Sequence, residues 1–218
     1  MTQTDITLET IAAAERIAGV GYTEAERHLM LDNLEGQIVS ALQRRAVPLA
    51  NSVPMAMRFD PRLPGFAMPH GADAVRVSKV TVVLPTADED IAFAPVTHLS
   101  VWIRTGALTS RRLTQIYLDR IAALGPKLEC YAAVTAVQAL AEADAADTLT
   151  RAGVNLGPLH GIPYGVKDLF DTKGVVTGWG AEPFQNRVPD QDAAIVTRMR
   201  AAGAVMLGKT TVGALAYN

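Results

Sequence analysis

Strand-length and helix-length segments alternate over the second half of this 218-residue sequence, and this alternation restricts the fold more than any other feature. Short apolar runs predict buried strands, and longer runs with apolar residues on one face predict helices. In chain order the predicted segments are a strand at 131–134, a helix at 136–151, a strand at 162–169, a helix at 192–202 and a strand at 204–207. This order predicts an α/β architecture in which helices cover a sheet.

Flanking segments extend this pattern in both directions. A helix is predicted from Thr109 or Ser110, with its apolar face formed by residues such as Leu113 and Ile116 and with its end at Gly125-Pro126. Residues 77–84 predict a short strand, and residues 211–217 predict the beginning of another helix.

The first 75 residues have a different character. Residues 8–45 predict two helices, and the second opens at Thr23 with Glu26 three residues later, which is a capping-box pattern. Five prolines between residues 46 and 75 predict an extended connector, because proline disfavours helix and removes backbone donors. We therefore predict two domains, a helical extension with connector at 1–75 and an α/β domain at 76–218.

Charge and cysteine content exclude several classes of protein. The net charge of −2 gives no basic excess for nucleic acid, and the one cysteine, Cys130, excludes an internal disulfide and a cysteine-based zinc site. The four histidines show no metal-ligand spacing. The sequence has neither a signal-peptide pattern nor an apolar run of the ~20 residues that span a bilayer, so the expectation is a cytoplasmic protein without a membrane partner.

Residues 203–210, Gly-Ala-Val-Met-Leu-Gly-Lys-Thr, match the pattern of a phosphate-binding P-loop. A P-loop requires a strand before its first glycine, whereas here a helix is predicted before Gly203. The four residues between the glycines are all apolar and read as the strand itself. We therefore predict a turn at Gly203 followed by a buried strand, and no nucleotide site.

The segment with the clearest chemical content is Gly161-Ile-Pro-Tyr-Gly-Val-Lys-Asp168. Lys167 follows an apolar stretch, and the surrounding glycines and prolines permit a close, stiff backbone path. In a poorly hydrated site desolvation disfavours the ammonium, so the amine could act as a base towards a hydroxyl nucleophile. From these residues alone, a structural or surface lysine is the commoner interpretation.

The same segment closely resembles the catalytic-lysine segment of the amidase signature family of amide hydrolases. The likeness extends over about residues 91–218, because the segments at 108–121, 131–134 and 190–210 resemble further family units in the family's order. The resemblance implies an amidase-signature-type mixed β-sheet covered by helices, incomplete here and preceded by a helical extension. It also implies a small-molecule amide as substrate and no metal or organic cofactor.

The family mechanism implied by the resemblance is a Ser–cis-Ser–Lys triad, in which Lys167 is the base. Both serines of that triad belong to a glycine- and serine-rich stretch several dozen residues after the lysine, and this sequence contains no serine after Lys167. The expectation is an N-terminal fragment of an amidase-like protein, inactive alone because it has a base and no nucleophile.

Three other interpretations stay open at this level. The chain resembles the A subunit of a tRNA-dependent amidotransferase, which works with partner subunits. It could be a split-protein subunit completed by a C-terminal half, or a homo-oligomer. It could also be a non-catalytic protein that kept the fold, which the missing serines would favour.

Overall fold

The computed structural model describes residues 6–50, 53–71 and 80–217. Contacts divide the chain into two units, Met1–Ala72 and Asp73–Asn218, each described here by itself. The division falls close to the boundary predicted after residue 75, within residues whose placement is not described.

Two helices form the described part of the first unit, α1 (Leu8–Ala18) and α2 (Glu24–Ala46). A threonine precedes each helix and accepts from a backbone amide of its first turn, and at Thr23 the capping box with Glu26 is complete as predicted. The hairpin is closed by Glu15, a buried carboxylate that accepts two 2.7 Å hydrogen bonds from Arg27. These bonds lower the pKa of Glu15.

In the described part of the second unit, three strands form the sheet: β1 (Tyr131–Val134), β2 (Pro163–Lys167) and β3 (Val205–Thr210). The order is β1-β3-β2, with β3 antiparallel to β1 and parallel to β2. The sheet is therefore mixed, as the resemblance implied. All three strands lie where the alternation of the sequence predicted them, although β3 extends to Thr210, beyond the predicted end at Leu207.

Helices cover both faces of β3. Val205 and Leu207 pack with α5 (Ser110–Leu128) and α6 (Ala136–Arg151), whereas Met206 packs with α7 (Ala194–Ala201). Side chains alternate between the two faces of a strand, so consecutive apolar residues here require a cover on each side. Layers of helices on both faces of the sheet confirm the predicted α/β architecture.

Two further helices carry a second apolar cluster, α3 (Asp88–Ala92) and α4 (Val96–Thr105). The cluster joins them to α5 and to Ile162, just before β2. Neither helix was predicted, although Leu99, Trp102 and Ile103 have helical spacing on one face of α4 and are buried.

Three details of the sequence prediction are wrong. Helix α5 does not stop at Gly125-Pro126 but continues to Leu128, with Pro126 inside its last turn. Residues 211–217 contain only a short 3-10 turn, Ala214–Ala216, in place of the beginning of a helix. Residues 77–79 lie outside the described part of the chain, and 80–84 form no strand but an extended segment whose Val82 carbonyl accepts from the Trp102 indole.

The first turn of α5 is held by a carboxylate from α6. Asp147 is buried and accepts from the amides of Ser110 at 2.7 Å and Arg111 at 3.0 Å. Unpaired amides at a helix start are costly when buried, so we expect Asp147→Ala to lower the free energy of unfolding by about 1–3 kcal/mol. Thermal unfolding followed by circular dichroism measures this.

Asp144 provides the matched control for that substitution. It lies one turn earlier on α6 and pairs with the Arg111 side chain, but it is more than half exposed. Exposed ion pairs contribute less than about 1 kcal/mol, so Asp144→Ala should leave the unfolding transition almost unchanged. Equal losses in the two variants would contradict the capping role of Asp147.

Candidate active site

Lys167 is the last residue of β2, and its side chain is exposed. It pairs in register with Thr210 of β3, and the next amide, that of Asp168, donates to the Thr210 carbonyl at 2.9 Å. The sheet therefore fixes the backbone on both sides of Lys167. The poorly hydrated surroundings expected from the sequence are not present around this side chain in the described structure.

Glycines make the close strand packing beside Lys167 feasible. A methyl group on Gly165 would lie 2.9 Å from the Thr210 side chain and 3.0 Å from the Tyr131 hydroxyl. A methyl group on Gly208 would lie only 2.2 Å from the Ala133 carbonyl oxygen of β1. Among the glycines predicted to allow close packing in this segment, Gly165 has side chains of both β1 and β3 against its backbone, whereas a methyl group on Gly157 would have no neighbour within 4 Å.

The chain beyond Lys167 folds back on itself around Asp168. The Asp168 carboxylate is buried, and its Oδ2 accepts from the Gly178 amide at 2.9 Å. Its backbone carbonyl accepts from the Trp179 amide at 3.2 Å, and the Trp179 carbonyl accepts from Leu215 at 2.8 Å. These bonds bring three separate parts of the chain next to the end of β2.

An ion pair closes the outer side of this loop. Arg187 binds the Asp171 carboxylate with both of its terminal nitrogens, at 2.7 and 2.5 Å, and its guanidinium lies 4.0 Å from the centre of the Trp179 ring. The hydrogen bonds from Arg187 lower the pKa of Asp171. A planar guanidinium suits both contacts, because it matches a carboxylate and stacks on an aromatic ring.

A second lysine lies inside the site. Lys209 of β3 is completely buried, and its Nζ donates 2.7 Å hydrogen bonds to the Phe170 carbonyl and the Thr177 hydroxyl. Asp168 Oδ1 is 3.5 Å away. Burial lowers the pKa of Lys209, and the charge of Asp168 opposes that effect. The sequence patterns singled out this lysine only as part of the P-loop match.

The match of residues 203–210 to the P-loop pattern is a coincidence of sequence, as predicted. Gly203 forms the turn after α7, and residues 205–210 are the strand itself, with Lys209 inside the protein and bound by protein oxygens. No face of this lysine is open to a phosphate group.

A cavity of about 350 Å³ adjoins Asp168. Its wall combines backbone of the glycine-containing loop with side chains of both polarities, from Ala132, Asp168, Val176, Gly178, Gly180, Ala181, Glu182 and Gln185. Sites for small molecules have this size and mixed lining. Among the described residues, no group of three or more histidine, cysteine or acidic side chains has the arrangement of a metal site.

Comparison with known proteins identifies the second half of the chain. The family model described as Amidase matches residues 112–218. Residues 112–218 belong to the amidase family. This region contains Lys167, the sheet and the loop that folds over it, so the resemblance predicted from the sequence is confirmed.

Individual amidases support the assignment. A putative amidase, AmiD, of Mycobacterium tuberculosis H37Rv is 44% identical over 138 residues, which is 63% of this chain and 29% of that protein. The A subunit of the glutamyl-tRNA(Gln) amidotransferase of Acinetobacter baumannii ATCC 17978 is 41% identical over 123 residues, 56% of this chain and 25% of that protein.

Among solved structures, the native peptide amidase of Stenotrophomonas maltophilia superposes with a TM-score of 0.54 at 41% identity, covering 56% of this chain and 26% of that one. The chain thus spans between a quarter and a third of the length of the amidase relatives it matches. It corresponds to a part of the amidase fold.

The last serine of the sequence, Ser110, has a structural role. Ser110 is completely buried, and its hydroxyl donates to the Gly161 carbonyl at 2.7 Å, which ties α5 to the segment before β2. No serine follows Lys167 in the sequence. Within the described residues, no helix is both long and apolar enough to cross a membrane.

Proposed function

We propose that this chain supplies the base, Lys167, of an amide hydrolase that works by a Ser–cis-Ser–Lys mechanism. The observation that carries the proposal is the position of Lys167 at the end of a strand in an amidase-family sheet, directly before Asp168, which lines a cavity. The paired strand fixes the backbone from which the Lys167 side chain projects, and a fixed backbone is the first requirement for placing a catalytic group.

In this proposal the amine of Lys167 takes a proton from a bridging serine, and that serine takes one from the nucleophilic serine. The nucleophile attacks the amide carbonyl, and the proton held by Lys167 returns through the bridging serine to the substrate nitrogen. That nitrogen leaves as ammonia or an amine while the acyl-enzyme forms, and water then releases the acid. Lysine can act as a base only in its amine form, which desolvation favours. The exposed position of Lys167 means that the polypeptide carrying the serines must also exclude water from it.

The test compares the 218-residue chain with a chimera in which its amidase region is continued by the remaining C-terminal part of the Stenotrophomonas maltophilia peptide amidase. We expect ammonia release from a small primary amide by the chimera and none by the chain alone, because only the chimera has a nucleophile. Hydrolysis by the chain alone that disappears in Lys167→Ala would refute the inactivity. An inactive chimera that is folded would refute the catalytic role.

A second proposal follows the similarity to the amidotransferase A subunit. In that case the completed protein would need partner subunits for its reaction. Co-purification of a complex from the native source, with amide hydrolysis dependent on that complex, would favour it over an independent amidase. Capture of a separate polypeptide carrying the serine stretch would favour a split enzyme, and the absence of any activity would favour a non-catalytic protein.

A further inference from the structure

Lys209 has the most unusual surroundings of any charged side chain in the described structure. It is fully buried in the central strand, yet it carries an ammonium group whose transfer from water is costly. Three oxygens surround Nζ, the Phe170 carbonyl and Thr177 hydroxyl at 2.7 Å and the Asp168 carboxylate at 3.5 Å. Two of the three ammonium donors are used in hydrogen bonds within the protein, and the Asp168 carboxylate supplies an opposite charge nearby.

Stability alone is a poor explanation for such a group. A buried ion pair is often no more stable than an apolar pair of the same volume, because desolvation offsets the attraction. An apolar side chain such as methionine would fill the volume without that cost. What the ammonium adds is directional bonding, since it donates hydrogen bonds to two defined oxygens and lies beside the Asp168 carboxylate.

All three oxygens belong to the loop that follows Lys167. Asp168 and Phe170 come directly after it, and the Phe170 amide donates to the Lys167 carbonyl at 3.0 Å. Thr177 lies on the returning side of the loop, next to the Gly178 amide that binds Asp168. Lys209 therefore joins the outgoing and returning sides of the loop beneath Lys167.

The Lys167 side chain itself makes no hydrogen bond or ion pair within the described residues. Its location is set by its backbone, which depends on the Thr210 contact of the strand and on the loop held by Lys209. Removing the Lys209 contacts would leave the strand and the outer contacts of the loop, those of Asp168 with Gly178 and of Asp171 with Arg187, to fix it.

We propose that Lys209 is a positioning residue for Lys167. Lys209 binds both sides of the Asp168–Thr177 loop and so fixes the end of β2 that carries the Lys167 amine. The inference rests on the proposed role of Lys167 as the base. Lys209 touches neither substrate nor the reacting atoms in this scheme and acts through the loop alone.

The first test uses the 218-residue chain and amide hydrogen exchange measured by NMR. In Lys209→Met, the amides of Phe170 and Gly178 should exchange at least about tenfold faster, because their part of the loop opens locally. The Thr135 amide, which donates to Leu207 of β3, should stay within about threefold of the wild type. Lys173→Met is the control, since this lysine lies in the same loop with an exposed side chain.

A double variant provides a test even if Lys209→Met alone does not fold. Lys209→Met leaves the buried Asp168 carboxylate without its counter-charge, whereas Lys209→Met with Asp168→Asn removes both charges. The double variant should fold, and its Phe170 amide should still exchange faster because the ammonium donor to the loop is gone. Wild-type exchange at Phe170 in this variant would overturn the proposal.

The second test uses the chimera, because a structural role and a positioning role of Lys209 predict different changes in kcat there. We expect Lys209→Met with Asp168→Asn to lower kcat by about 10- to 100-fold relative to Asp168→Asn alone, with KM within about threefold of that reference variant, because a displaced base affects the chemical step and leaves binding intact. The Lys173→Met control should retain both constants. An unchanged kcat in an active chimera overturns the positioning role.

The two proposals fail in distinguishable ways. A folded but inactive wild-type chimera rejects the catalytic role of Lys167, and Lys209 is then an anchor of the loop without a catalytic purpose. An active chimera whose kcat is insensitive to Lys209 rejects the positioning role and leaves Lys167 in place.

Discussion

Replacing Lys167 by alanine should lower kcat for amide hydrolysis in the chimera by about 10²–10⁴-fold, the usual contribution of a positioned general base. The reason is that no other group could then take the proton of the bridging serine. The KM should change little, because the amine does not bind the substrate in the proposed scheme. Steady-state ammonia release over a range of amide concentrations measures both constants.

Lys167→Arg separates charge from basicity. Arginine keeps the positive charge but cannot be deprotonated in proteins, so it should be as inactive as alanine. Lys173→Ala is the matched control, because Lys173 has an exposed side chain six residues further along the same loop. Hydrolysis by Lys167→Ala within tenfold of the wild type, or an equal loss in Lys173→Ala, would exclude the catalytic assignment.

Gly208→Ala should be the most destabilising of the small substitutions in the sheet. The added methyl group would lie 2.2 Å from the Ala133 carbonyl oxygen, and the backbone has a φ of 155°, which residues with side chains rarely adopt. Overpacking costs about 1–3 kcal/mol and an unfavourable backbone conformation a similar amount, so we expect a loss of about 2–6 kcal/mol in the free energy of unfolding.

Urea unfolding followed by tryptophan fluorescence measures this loss, because both tryptophans, Trp102 and Trp179, lie in the unit that contains the sheet. Gly36→Ala is the control, since this glycine lies within α2 with no atom close to the added methyl group. Alanine stabilises a helix by about 1 kcal/mol relative to glycine. This change falls in the first unit, which contains no tryptophan, so the fluorescence transition should not move. Coincident transitions for wild type and Gly208→Ala would show that β1 and β3 can separate at no cost.

The parts of the fold that were predictable are those specified by local patterns. The consecutive apolar residues of β3 and the alanine-rich face of α6 indicate a strand covered on two sides and a helix packed against it. The N-terminal capping box at Thr23 is another local signal that the structure contains. In each case the residues that form the element also determine its type.

The sequence predictions failed where contacts with residues far along the chain determine the structure. Helix α5 continues through Pro126 and ends with Glu129 in a left-handed conformation, which local rules assign to glycine. At the site, the sequence identified Lys167 through resemblance, yet its exposure and the burial of Lys209 depend on the path of residues 168–179. Tertiary packing determines burial, and the residues adjacent to Lys167 and Lys209 in the sequence do not show which of the two side chains is buried.

The order of the strands also has a kinetic consequence. Strands β1 and β2 each pair with β3 and not with one another, and β3 is the last of the three along the chain. During synthesis, the first two strands must therefore wait without a partner until β3 has left the ribosome. Contacts between residues distant in sequence form slowly, and unpaired strands are prone to association. Helices α5 and α6 contact one another directly, and Tyr131 of β1 packs against their shared apolar cluster, so these helices can cover β1 during that interval.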